Sequence, residues 1–154
     1  MIKCHKSISK YLKNKAVNLN KLGMIYGISI AEFTTDEDRF KAANMMKKCP
    51  HIIHVALLSD SYSLSWIAIV PPEKEWWLRI LPEKPEVIGA KCGKVYISKE
   101  MVYPDLVDLK IPKPSGETAP CGTNCIECPY YKKECKGCPA TKHYVGHFFN
   151  ERLR

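Results

Sequence analysis

Five of the chain's eight cysteines fall within eighteen residues: Cys121, Cys125, Cys128, Cys135 and Cys138, spaced Cys-x3-Cys-x2-Cys-x6-Cys-x2-Cys. A segment this short cannot bury a core of its own, so it takes shape only if its thiols are held together. The two candidates are a metal centre and a disulfide knot. The spacing favours metal, because each Cys-x2-Cys pair lets two sulfurs reach one ion from a single tight turn. Gly137 inside the second pair suits such a turn, since glycine accepts positive φ at little cost. Pro129 and Pro139 each follow a pair and stiffen the chain as it leaves. The odd local count, and an opening stretch from Met1 that does not read as a secretory leader, argue against a secreted disulfide framework. Reduced structural cysteines and a redox switch are the remaining alternatives.

Four thiolates in paired knuckles suit tetrahedral Zn2+. The compact Cys121-x3-Cys125-x2-Cys128 loop also suits a [4Fe–4S] cluster, with Cys135 or Cys138 as the fourth ligand. Zinc is the preferred reading and the cluster its alternative. The fifth cysteine is a spare, an exchangeable ligand or a redox-sensitive thiol. His143 and His147 lie downstream at i, i+4 and could replace a cysteine, but five thiols already exceed the need of one site, so they read as polar residues of a C-terminal helix. The three-cysteine loop has the spacing of radical S-adenosylmethionine enzymes. No barrel follows it to hold a substrate, and that class is rejected.

The 154 residues suffice for one core and a small appendage, and 45% apolar content is that of a folded protein. No apolar run approaches the length of a membrane span. The lysine-rich, arginine-poor start does not read as a transit peptide, and the abundance of thiols points to a reducing cytoplasm. The net charge of +8 is unevenly spread. Residues 1–23 hold Lys3, Lys6, Lys10, Lys13, Lys15 and Lys21 and no acid; residues 24–114 are neutral; residues 115–154 carry +2. Ile8, Leu12, Ala16, Leu19 and Leu22 recur at steps of four and three, which predicts a basic amphipathic helix over 1–23 stopped by Gly23. Its lysines suit an acidic protein surface, nucleic-acid phosphates or anionic lipid. Docking on the body by the apolar stripe is the plain alternative. One helix is too little for a helix-turn-helix.

The middle, residues 24–110, alternates in type. A strand is predicted over 24–33, where Met24, Tyr26, Ile28 and Ile30 alternate with Ile25, Gly27 and Ser29. A helix follows, capped by Thr35 with Asp38 three residues on, apolar along Phe40, Ala43, Met46 and Cys49, and ended by Pro50. Strands follow over 52–58 and 62–70, the latter with Leu64, Trp66, Ala68 and Val70 on one face. Pro71-Pro72 introduces a helix over 73–81 carrying Trp76, Trp77 and Ile80. A last strand is expected over 87–90, continued or paired by 95–97. The order β-α-β-β-α-β predicts an α+β, ferredoxin-like βαββαβ sandwich with two helices on one face of an antiparallel sheet. A connector over 100–118, rich in proline, lays Leu106, Val107 and Leu109 against the body, with its linker at 111–120. Residues 121–154 form the Cys-rich metal-binding module.

Two resemblances add to this. The run of a helix, then Cys49-Pro50-His51-Ile52-Ile53-His54-Val55, then Ser59-Asp60-Ser61-Tyr62-Ser63-Leu64, resembles the ligand-sensing domain of Lrp/AsnC-type regulators. It covers some forty-five residues without their DNA-binding half. It implies a domain that forms a homodimer through its sheet and takes a small ligand, not a transcription factor. The tail, Cys-Gly-Thr-Asn-Cys-Ile-Glu-Cys-Pro-Tyr-Tyr followed by Cys135-Lys-Gly-Cys138, resembles an uncharacterised family of short cysteine-rich proteins of anaerobic archaea and bacteria. The shared pattern takes in all five cysteines with Gly122, Tyr131 and Gly137. It implies metal ligation and an oxygen-averse host, and no substrate.

The remaining reactive residues carry weaker signals. Cys4-His5 sits among lysines and reads as incidental to a terminus. His51 and His54 have no carboxylate or cysteine partner nearby in sequence and read as structural. Cys92 lies in a predicted turn between Lys91 and Lys94, cationic surroundings that favour a thiolate nucleophile, but no orienting base is in view. Trp76 and Trp77 cannot both face the core from one short helix, so Trp76 is a candidate partner contact, with coverage by the linker as the alternative. No nucleotide loop, hydrolase elbow or carboxylate pair appears. The chain therefore reads as a non-enzymatic accessory or regulatory protein. It would grip an acidic partner, a protein complex, through Lys6, Lys10, Lys13, Lys15, Lys21 and Trp76, with the metal module possessing redox or oxygen sensitivity. An iron–sulfur electron carrier or redox sensor, and an RNA- or DNA-binding zinc protein, are the alternatives.

Overall fold

The computed structural model describes residues 16–59, 61–109 and 114–146. Its elements are β1 (Ala16–Val17), β2 (Ile25–Glu32), α1 (Asp36–Met46), β3 (Ile52–Leu57), β4 (Ser63–Val70), α2 (Glu75–Leu78), α3 (Ile80–Glu83), β5 (Cys92–Ser98) and β6 (Val107–Asp108). The fold is α+β. Strands β2 to β5 form a four-stranded antiparallel sheet in the order β3-β4-β2-β5, and β1 pairs with β6 in a small second sheet.

Helix α1 starts where the sequence places its cap: the Asp38 N–H donates to Thr35 Oγ1 at 3.2 Å. Arg39 on its first turns reaches the β3–β4 connection, donating to the carbonyls of Leu58 and Ser61 at 2.9 Å each. The buried side of the helix is Ala42, Ala43 and Met46. Phe40, expected on that side, stands 46% exposed. The two alanines permit a close approach to the sheet that the larger ring would prevent.

One face of the sheet carries the main core. Leu64, Trp66, Ala68 and Val70 of β4 and Ile25 and Ala31 of β2 meet Met46, Leu78 and Leu81. Leu78 and Leu81 come from short helical turns and press directly on strand backbone. A Cβ built on Gly27 would lie 2.6 Å from Leu78 Cδ2, and one on Gly93 2.6 Å from Leu81 Cγ. The opposite face is covered at one end by Val17, Leu19, Met24, Tyr26, Ile69 and Leu109. Asn20 clamps this layer, donating to the Met101 carbonyl at 2.8 Å and accepting from the Met101 N–H at 2.9 Å and the Tyr26 hydroxyl at 2.5 Å. Away from it Ile28, Ile30 and Tyr96 are exposed.

Three sequence expectations are corrected. The helix predicted over 1–23 does not extend through its last third: Ala16 and Val17 are strand, and residues 19–23 form turns. Val17 and Leu19 are both buried, a two-residue period, and the Asn18 side chain accepts from the Lys21 N–H at 3.1 Å, a local turn that competes with helix. Residues 1–15, with Cys4, His5, Lys6, Lys10, Lys13 and Lys15, lie outside the described residues. The helix over 73–81 is instead a 3-10 turn (Pro72–Lys74) followed by α2 and α3. Pro82 has no N–H to offer the Leu78 carbonyl, so an unbroken ladder cannot pass it. The strand over 87–90 is a 3-10 turn, Pro85–Ile88, ended by Gly89 at φ 74. The strand starts later, and Cys92 opens β5 rather than sitting in a turn.

Candidate functional site

Residues 114–146 are almost free of repetitive structure, and their backbone is fixed turn by turn. Isolated bridges join Gly116 to Thr141, Thr118 to Asn124 and Tyr131 to Cys135. The Tyr130 carbonyl accepts from the N–H groups of Lys133, Glu134 and Cys135 at 3.2, 3.1 and 2.9 Å, wrapping the chain between the two cysteine groups. Thr141 is fully buried and holds the second group, its backbone N–H and its hydroxyl both donating to the Cys138 carbonyl at 2.9 Å. Gly137 has φ 87, and a Cβ there would stand 3.0 Å from the His143 carbonyl oxygen. No other residue meets both conditions without strain. Tyr131 closes the same turn, its hydroxyl donating to that carbonyl at 2.6 Å.

His143 is not on a helix. It lies in a turn, its Nε2 3.1 Å from Glu117 Oε2, and residues 144–146 are irregular, so the described part of the expected C-terminal helix is absent; His147 lies outside the described residues. Glu117 also pairs with Lys142. Hydrogen bonding from Lys142, with a lesser contribution from His143, holds the Glu117 carboxyl below its ordinary value despite opposing desolvation.

The tail rests on the body through Trp76. Its indole stacks on Tyr130, and its Nε1–H donates to the Glu134 carbonyl at 3.3 Å. Trp77 turns the other way, packing on the core and lying 5.6 Å from His51, ring centre to ring centre. His51 is buried at the seam. Its Nδ1 is 3.0 Å from the Ile69 carbonyl, which makes Nδ1 the protonated nitrogen, and its Nε2 faces Lys74 Nζ at 3.1 Å. Burial first, then the Lys74 charge, push its pKa well below the ordinary histidine value, so the ring is neutral.

Between tail and body lies a cavity of about 330 Å³. Cys121, Cys125, Cys128, Cys135 and Cys138 all line it, opposite Trp66, Trp77 and Leu78 of the body. Cys125 is the most enclosed, 5% exposed, and its Sγ accepts from the Cys138 N–H at 3.4 Å. Burial pushes the Cys138 thiol up to about 11. None of the described cysteines is joined in a disulfide. In chemical kind the donors fit a thiophilic metal, and one cavity gathers them. In separation they are open: among the described residues no three histidine, cysteine or carboxylate side chains stand close enough to hold an ion. Cys92 does not line this cavity. Its exposed Sγ lies 3.9 Å from Glu32 Oε2, a carboxylate the sequence reading did not pair with it.

Sequence reasoning missed three residues here. Cys49, also on the cavity wall, reads in the sequence as part of a helix side and of the Lrp/AsnC-like run, with no sign of a ligand. Lys74 and Tyr130 gave no signal, since a lysine in a proline-led turn and a tyrosine among cysteines have many ordinary roles. No helix among the described residues is long and apolar enough to cross a membrane.

Comparison with known proteins names no family. No family model matches the chain, and no curated protein matches it. A solved structure described as "Crystal structure of PH0061" is similar with a TM-score of 0.47 and 16% identity, over 59% of this chain and 62% of that one. The match thus spans less than two thirds of that chain, and a likeness of this size carries no argument about activity.

Proposed function

We propose that this chain is a non-enzymatic accessory or regulatory protein. A ferredoxin-like body carries a cysteine-ligated zinc module, and together with a basic N-terminal segment it engages an acidic partner, a protein complex, in a reducing cytoplasm. The observation that carries the reading is that all five tail thiols line a single cavity against the body. Thiolates so gathered repel one another unless a cation joins them. Zinc, when bound, supplies that charge and fixes the turns around it. Its ligands, four at most, would be drawn from Cys121, Cys125, Cys128, Cys135 and Cys138, while Thr141 and Tyr131 keep the second pair in place.

The strand order β3-β4-β2-β5, antiparallel throughout, supports the ferredoxin-like assignment. The +6 charge of residues 1–23 supports an acidic partner. Kinship with the short cysteine-rich family draws support from Gly137 and Tyr131, shared positions that close one turn. Exposed Ile28, Ile30 and Tyr96 favour pairing of two copies through the sheet. Oxidation of the thiols would open the module and release the partner.

The test is purification without oxygen, metal analysis, and identification of what co-purifies. Near-stoichiometric zinc with an acidic protein is the expected result. Protein free of zinc and iron with its tail still ordered would overturn the reading. A second reading, a [4Fe–4S] carrier or sensor, is favoured by the apolar wall of Trp66, Trp77 and Leu78 behind the thiols, surroundings that shield a cluster from water. Brown protein containing iron and sulfide would select it. Co-purified nucleic acid released steeply by salt would select the third, nucleic-acid reading.

A further inference from the structure

We propose that Cys49, in the body, is a ligand of the tail's metal, so that the site spans the seam between the two parts rather than lying within the tail. This rests on the metal reading above and names a donor outside its segment.

Cys49 follows α1 in a fixed turn. Its N–H donates to the Met46 carbonyl at 3.0 Å, and its own carbonyl accepts from the Ile52 N–H at 3.2 Å. The side chain packs beside the main core and lines the same cavity as the five tail cysteines. Cys121 and Cys138 of the tail and Lys74 of the body line that cavity with it. One thiol of the body and five of the tail thus border one space. A four-thiolate zinc site carries net negative charge, and Lys74 is placed to offset it. The body-side thiol also accounts for the open arrangement of the tail. The donors straddle an interface, and an ion entering the cavity draws the tail toward α1.

The test uses Co2+ as a probe of the anaerobically prepared full chain, in three forms: unchanged, Cys49→Ser, and Cys92→Ser as control. Co2+ bound to thiolates gives a charge-transfer band that grows with each sulfur. Expected for Cys49→Ser is a band weaker by about a quarter, one thiolate in four. Its Co2+ affinity should fall by more than the roughly 10–100-fold that losing an outer hydrogen-bond partner costs. Cys92→Ser should match the unchanged chain. Alkylation of the unchanged chain with iodoacetamide, read by mass spectrometry, keeps the test independent of how the variant folds. Zn2+ should slow modification of Cys49 and leave Cys92 unaltered. Equal bands and affinities in all forms, with Cys49 alkylated at one rate with and without Zn2+, would overturn the proposal while leaving a tail-only site standing. No Co2+ uptake by the unchanged chain would remove the metal reading itself.

Discussion

The indole of Trp76 and the phenol ring of Tyr130 stack with their centres 4.8 Å apart and their planes at 26°. One belongs to α2 on the sheet, the other to the turn between the two cysteine groups. With the bond from Trp76 Nε1–H to Glu134, this stack is a direct link between a tail with little regular structure and the folded body.

Trp76→Ala should loosen that link. The stack contributes about 0.5–1.5 kcal/mol beyond its buried area, and the hydrogen bond a similar amount. Protease should then cut within 114–146 faster, while far-ultraviolet circular dichroism of the sheet stays unchanged. Trp76→Phe keeps a ring and loses the donor, so it should fall between.

Gly27→Ala should destabilise the body by about 1–3 kcal/mol, the usual cost of overpacking. The added methyl meets Leu78, whose Cδ2 lies 2.6 Å from its position. Urea denaturation checks the loss. Adding Leu78→Ala should then cost less than the same change does alone, because the two side chains contest one space.

His51 makes stability depend on pH with a definite sign. Its folded pKa lies well below the ordinary 6.5, so the unfolded chain binds the proton more readily. Stability from this site is complete above pH 6.5 and is lost as pH falls below it, until the folded pKa is reached. His51→Asn retains a donor for the Ile69 carbonyl and removes the titration. Thermal melts between pH 7.5 and 5 should show a shallower slope for this variant.

Thr141→Val preserves shape but removes a buried hydroxyl that donates to the Cys138 carbonyl. The expected loss is about 0.5–1.5 kcal/mol from the broken bond, since the Thr141 N–H still serves that carbonyl. The local signature is faster alkylation of Cys125 and Cys138 than in the unchanged chain, with Cys92 unaltered.

Elements whose signal is local were legible in the sequence. Thr35 with Asp38 marks the start of α1, and the two-residue rhythm from Leu64 to Val70 names the buried face of β4. Where local pattern and packing compete, packing prevailed. Leu19 and Leu22 match a helical stripe, but Val17 and Leu19 are fixed by a distant strand, Val107–Asp108, that no window around them contains. Phe40 fits the helix period, and the small Ala42 takes the inward place. The tail was legible as a unit because cysteine spacing is itself local. Its seat on Trp76, and the approach of Cys49, depend on contacts across fifty residues or more, which spacing does not encode.

The two-residue ladder of Ala16–Val17 with Val107–Asp108 has a mechanical consequence. The chain enters and leaves the sheet at one shared doorway, antiparallel and side by side. Tension applied across residues 16 and 108 therefore unzips this short ladder before it reaches the hydrogen bonds of the larger sheet. The body is insulated from a tug on either flank by a small, renewable fuse.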